Sequence, residues 1–233
     1  MGKGVLITPT INGNILAGPT ASDIEGKSET DTTQEGISEV ISKSAKIIKN
    51  IPYDHIITSF AGLRACESSD DFVINEVPDV ECFINCAGIS SPGLTASPAI
   101  GKKIALMMAD RFGFVINKKF NGNRKGITNP KKLSLEERNE LIKNNSAYGR
   151  IVCRCEEVSE GEIIEATKRN PPAKSFDGIK RRTRAGMGRC QSGFCALKVM
   201  KILVNECDEI DEFSVSKKGE GSEFIMGLNK ENL

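Results

Sequence analysis

The 233-residue chain has almost no net charge: 32 Lys and Arg stand against 31 Asp and Glu, for a formal +1. That balance favours neither a nucleic-acid binder nor a binder of acidic surfaces. No apolar run approaches the roughly 20 residues of a membrane-spanning helix, so no transmembrane segment is expected. The opening Met1-Gly2-Lys3-Gly4-Val5-Leu6-Ile7 is too short for a secretory signal before Thr8-Pro9 ends it. A cytoplasmic location is therefore the default. Histidine occurs once, at His55, so any imidazole chemistry must use that residue. Also missing is a Gly-x-Gly-x-x-Gly run opening a helix after a strand, the dinucleotide fingerprint. Gly2-Lys3-Gly4 runs into a strand, and Gly186-Met187-Gly188 lies in a cysteine-rich stretch.

Cysteine is what the chain does have, with eight residues. In a reducing compartment clustered cysteines point to metal or redox chemistry before disulfides. Four fall into two tight pairs: Cys-x-Cys at Cys153 and Cys155, then Cys-x4-Cys at Cys190 and Cys195. Four thiolates suit a tetrahedral zinc or an iron–sulfur cluster. The gaps differ from the two-residue gap of most zinc knuckles. Each pair precedes a helix, whose unpaired N–H groups and positive dipole end favour a negatively charged group. Residues 150–203 are also basic, with 12 Lys and Arg against six Asp and Glu. Lys180, Arg181, Arg182, Arg184 and Arg189 could stabilise a dianionic cluster or form a docking patch for an acidic electron-transfer partner. Cys66, Cys82 and Cys86 read as core residues of the first domain.

The hydrophobic patterning predicts an α+β protein with a mixed or antiparallel sheet, plus a small helical metal-binding domain. Runs 4–8 and 14–17 around Asn12-Gly13 predict a hairpin. Ile37, Val40, Ile41 and Ile48 predict a helix capped within Asp31 to Thr33. Runs 55–60, 71–74 and 82–86 read as strands. A second helix is expected with Ser97 as N-cap, Pro98 at its first position and Gly113 past its end. Capping boxes are expected at Ser134/Glu137 and Ser159/Glu162. A short basic helix should run from Ser175 to Arg184 and stop at Gly186, and a last helix should start near Gly193. The domains expected are 1–113, a linker with a short helix at 114–149, a cysteine domain at 150–207, and a tail at 208–233 that is a peripheral strand or disordered.

Two segments resemble known families. Val152-Cys153-Arg154-Cys155-Glu156-Glu157-Val158 and Gly178 through Cys195 resemble the 2Fe-2S domain of the bacterioferritin-associated ferredoxin type. The likeness is greatest to the version fused to FAD-dependent glycerol-3-phosphate dehydrogenases, whose last cysteine pair has the same four-residue gap. Gly4 to Thr20, Ala61-Gly62-Leu63-Arg64 and Ala87-Gly88 through Ser97-Pro98 resemble the C-terminal half of the D-amino acid oxidase superfamily. That branch holds glycerol-3-phosphate dehydrogenase and L-2-hydroxyglutarate oxidase.

The resemblance implies a 2Fe-2S cluster on Cys153, Cys155, Cys190 and Cys195. It implies Arg64 as the clamp for a small anionic hydroxy substrate, and the loop Gly88, Ile89, Ser90, Ser91, Pro92, Gly93, Leu94 and Thr95 as the flavin-contacting segment. FAD is expected to bind only with the half that carries the fingerprint. His55 is a candidate base near the flavin, or else a plain strand residue. Two functions remain open. One is part of a dehydrogenase that passes electrons through the cluster. The other is a non-enzymatic electron-transfer or docking subunit that needs a separate flavoprotein or acceptor.

Overall fold

The computed structural model describes residues 4–69 and 71–227. The opening Met1 to Lys3 and the end of the tail, 228–233, lie outside the described residues. Contacts divide the chain into two units, 1–122 and 123–233. Their elements are short antiparallel pairs and helices, an α+β composition.

The first unit opens with the expected hairpin. Strands β1 (Leu6–Pro9) and β2 (Ile15–Gly18) pair antiparallel, with Leu6 opposite Gly18 and Pro9 opposite Ile15. Gly13 takes φ +83° in the turn, a conformation that glycine adopts without steric cost. Helix α1 (Gln34–Ala45) begins where Thr33 Oγ1 accepts from the Gly36 N–H. It stops before Ile48, whose N–H bonds back to the Ser44 carbonyl.

Run 55–60 forms no strand. It follows a 3-10 turn at Tyr53–His55, and Ile56 and Phe60 are exposed. Branched and aromatic residues favour a pleated ladder, but only with a partner strand, and none pairs here among the described residues. Strands β3 (Val73–Glu76) and β4 (Ile84–Ala87) form a second hairpin. Helix α2 (Gly93–Phe112) starts four residues before the expected cap. Ser97 lies inside it, and its Oγ donates to the Leu94 carbonyl at 2.8 Å. That is the carbonyl left unpaired because Pro98, four residues on, has no N–H. Gly113 ends α2 at φ +66°.

The second unit holds the main apolar core. Segment 123–149, expected as linker, is built into it. Helix α3 (Leu135–Asn144) carries the Ser134/Glu137 capping box, and Ala147 and Tyr148 after it are buried. Tyr148 packs its ring where a Cβ on Gly161 would sit 2.7 Å away, and its hydroxyl donates to Glu165 Oε2 at 2.9 Å. Strands β5 (Ile151–Cys153) and β6 (Val158–Ser159) lead into α4 (Glu160–Thr167), which has the second expected capping box.

Helix α5 (Phe176–Thr183) is capped by Ser175. It stops at Arg184 in the left-handed conformation, two residues before the expected glycine. Helix α6 (Ala196–Glu206) begins after Cys195, not near Gly193, because the 190–195 loop is wound into turns of its own. Ile163, Ile179, Val199 and Leu203 from the three helices are fully buried together.

The tail is part of the same unit. Val215 is 1% exposed, and Ser216 bridges Glu223. The Ser216 and Lys217 carbonyls accept from the Phe176 and Asp177 N–H groups at 3.0 and 2.8 Å. Those are first-turn donors of α5 that have no partner within the helix.

Candidate metal centre and flavin-side segment

Two loops bring four thiols together. Cys153 ends β5 and is 1% exposed; Cys195 immediately precedes α6 and is 2% exposed. Cys155 is exposed and Cys190 half-buried. Cys155 Sγ lies 3.4 Å from Cys190 Sγ. The Cys155 thiol donates to Cys190 and holds it below the ordinary thiol range against burial, and the N–H groups of Phe194, Ser192 and Gly193 act on the same sulfur. Burial pushes Cys195 up to about 12, and Cys153 and then Cys190 add to that shift. Each close contact thus joins one sulfur from the first pair to one from the second.

The loops can close this far because of small residues and left-handed turns. A Cβ on Gly188 would meet Cys155 Cβ at 2.3 Å. Gln191 (φ +44°) and Ser192 (φ +78°) take left-handed conformations that turn successive N–H groups one way. Glu156, between the pairs, accepts from Arg184 Nε at 2.7 Å and ties the first loop to the end of α5.

Among the described residues no group of three or more His, Cys, Asp or Glu side chains is arranged to hold a metal ion. Four soft thiols in two cross-loop contacts, beside N–H donors, match the needs of an anionic iron–sulfide core.

The basic run behaves differently from the sequence expectation. Arg184 pairs with Glu156, Arg181 Nη2 lies 3.9 Å from Asp177, and Arg182 donates to the carbonyls of Gly178 and Pro171. Three of the five cations are therefore engaged on α5 and its flanks. Arg154, Lys198 and Lys201, which have no ion-pair partner among the described residues, were not singled out by the sequence, because they are scattered along it.

In the first unit the candidate residues are not gathered into one enclosed site. Arg64 lies in exposed coil, and His55 is exposed beside Asp54 at 3.7 Å. Cys66 in coil, Cys82 in the turn before β4 and Cys86 in β4 are exposed rather than core. The Gly88–Thr95 loop does run from β4 into α2. Gly88 takes φ +63°, and a Cβ there would meet Glu67 Cβ at 2.9 Å. The Gly93 N–H at the start of α2 donates to the Ser90 carbonyl at 2.6 Å, and no side chain caps the helix.

Residues 151–205 match the BFD-like [2Fe-2S] binding domain, and residues 1–107 match the FAD dependent oxidoreductase family. Over 234 aligned residues the chain is 43% identical to a glycerol 3-phosphate dehydrogenase of Caloramator mitchellensis, covering 100% of this chain and 48% of that one. A glycerol 3-phosphate oxidase of Mycoplasma genitalium is 35% identical over 52% of this chain and 31% of its own length. One component of the anaerobic glycerol-3-phosphate dehydrogenase of Escherichia coli is 42% identical over 23% of this chain and 10% of its own. The chain thus spans less than half the length of these relatives. No solved structure matches it. Among the described residues no helix is long and apolar enough to cross a membrane.

Proposed function

We propose that this chain is the C-terminal part of an FAD-dependent dehydrogenase acting on a small anionic hydroxy compound such as glycerol 3-phosphate, and that Cys153, Cys155, Cys190 and Cys195 hold a 2Fe-2S cluster carrying its electrons. The convergence of the four thiols, with Cys155 Sγ and Cys190 Sγ 3.4 Å apart, carries this reading. When bound, such a cluster supplies one-electron transfer beside a two-electron flavin. Cys153 and Cys195 are the buried ligands, while Cys155 is exposed and Cys190 half-buried. The N–H groups of Ser192, Gly193 and Phe194 stabilise thiolate charge at Cys190. Arg64 is proposed as the two-pronged clamp for the substrate anion, and Gly88 to Thr95 as the polar rim of the flavin.

Protein purified without oxygen should absorb between about 400 and 550 nm, through ferric–sulfide charge transfer, and carry about two irons per chain. Colourless protein loaded with zinc overturns the reading.

A second reading, a non-enzymatic electron-transfer subunit needing a separate flavoprotein, is favoured by one observation. Among the described residues of the first unit only Val5, Ser44 and Gly93 are buried, and Arg64 stands in open coil. Glycerol 3-phosphate turnover by the chain with added FAD supports the dehydrogenase. An inert protein with an intact cluster supports the second reading.

A further inference from the structure

Phe194 is 85% exposed, though it lies between Cys190 and Cys195, and Leu197 in the first turn of α6 is 73% exposed. At spacings of three and four residues, 194, 197, 198 and 201 share one side of the chain as it enters and follows α6. Lys198 and Lys201 are exposed there, and so are Arg189 beside Cys190 and Arg154 beside Cys155. From Arg189 to Asn205 there is no Asp or Glu.

Elsewhere in the same unit many cations are matched, although Lys125, Lys132, Lys180 and Lys218 have no ion-pair partner among the described residues. Arg150, Lys168, Arg169, Lys174 and Arg184 each pair with a glutamate. Arg154, Arg189, Lys198 and Lys201 have no ion-pair partner among the described residues. An apolar centre with an unpaired cationic rim thus adjoins the two cysteines that face outward.

We propose that this face docks an acidic protein carrying a one-electron redox centre. The rim supplies steering and orientation, and Phe194 with Leu197 supply the desolvated centre. The docked carrier's centre then lies against the Cys155 and Cys190 side, where electron transfer needs the shortest path. With a reduced cluster bound on these cysteines, one electron would pass to the carrier, whose ferric iron would become ferrous. No bond or proton changes. The inference rests on the cluster reading above and adds the chemistry of the partner.

The test uses the full 233-residue chain with its cluster first verified by visible spectrum, so that failure of the cluster reading is seen separately. The dithionite-reduced protein is mixed in stopped flow with rubredoxin, an acidic one-iron carrier, or with cytochrome c, a basic one. Rubredoxin reduction is expected to slow about tenfold from low to high salt, as screening removes the attraction. Lys198→Glu/Lys201→Glu should slow it about tenfold at low salt with the spectrum unchanged, and speed the cytochrome c reaction. Phe194→Ala should slow the rubredoxin reaction while keeping its salt dependence. Rates that ignore both salt and charge reversal overturn the proposal. So does a dimer of the chain that Phe194→Ala dissolves, which would assign the face to a second copy. Slowing by Phe194→Ala without any salt effect overturns it as well, and assigns the face to an uncharged flavoprotein surface.

Discussion

Single residues decide how closely the two cysteine loops approach. Gly188 gives the first loop room, since a Cβ there would press within 2.3 Å of Cys155 Cβ. Gly188→Ala should cost about 1–3 kcal/mol by overpacking and lower the iron bound per chain, read by metal analysis and denaturant midpoint. Glu156 and Arg184 bind the loops through one charged hydrogen bond at 2.7 Å. They also place opposite charges beside the same site. Glu156→Gln removes a negative charge and should raise the reduction potential of the loaded protein, whereas Arg184→Gln should lower it. A purely mechanical clamp would give equal loss of cluster in both variants and no opposed shift, which redox titration distinguishes.

At the scale of elements, caps and cross-element bonds hold the cysteine unit in shape. Ser159 is fully buried, and its Oγ both accepts from the Glu162 N–H and donates to that carboxylate. Ser159→Ala should cost about 1–2 kcal/mol and lower Tm. Tyr148 joins the segment after α3 to α4 through Glu165. Burial, then Glu165, pushes its hydroxyl up to about 12 from 10.0. Because the folded value is raised, this contribution is complete below pH 10 and is lost as pH climbs from 10 to about 12. Tyr148→Phe should flatten that part of a Tm-against-pH profile, and a profile unchanged by the substitution would contradict the assignment.

These elements also show where reading the sequence works. Ser134 with Glu137 and Ser159 with Glu162 are legible because a cap is a local bond between residues three apart. Run 55–60 is misread because a strand depends on a partner elsewhere in the chain. Ser97-Pro98 looks like a helix start, yet α2 runs through it because the Ser97 hydroxyl donates to the carbonyl that Pro98 leaves unpaired.

At the scale of the whole molecule, the apolar core lies in residues 123–233, and the segment before β5 and the tail both belong to it. Limited proteolysis near residues 113–123 should release a fragment that keeps the visible spectrum. Truncation after Glu209 should not leave the unit intact. It removes Val215, whose burial is worth about 1.5–3 kcal/mol, and the carbonyls that cap α5. Faster bleaching of the truncated protein would register that loss.

The amino-acid order alone determined the two cysteine pairs, the capping box of the helix after the first pair and the likeness to a flavin-linked dehydrogenase, because each is written in residues close together in the chain. Only the tertiary structure decided which two sulfurs are enclosed and which two face outward. It also turned most of the α5 arginines toward local partners and left Arg154, Arg189, Lys198 and Lys201 without an ion-pair partner among the described residues. Exposure and charge pairing depend on residues far apart in sequence meeting in space, and no local pattern encodes that meeting.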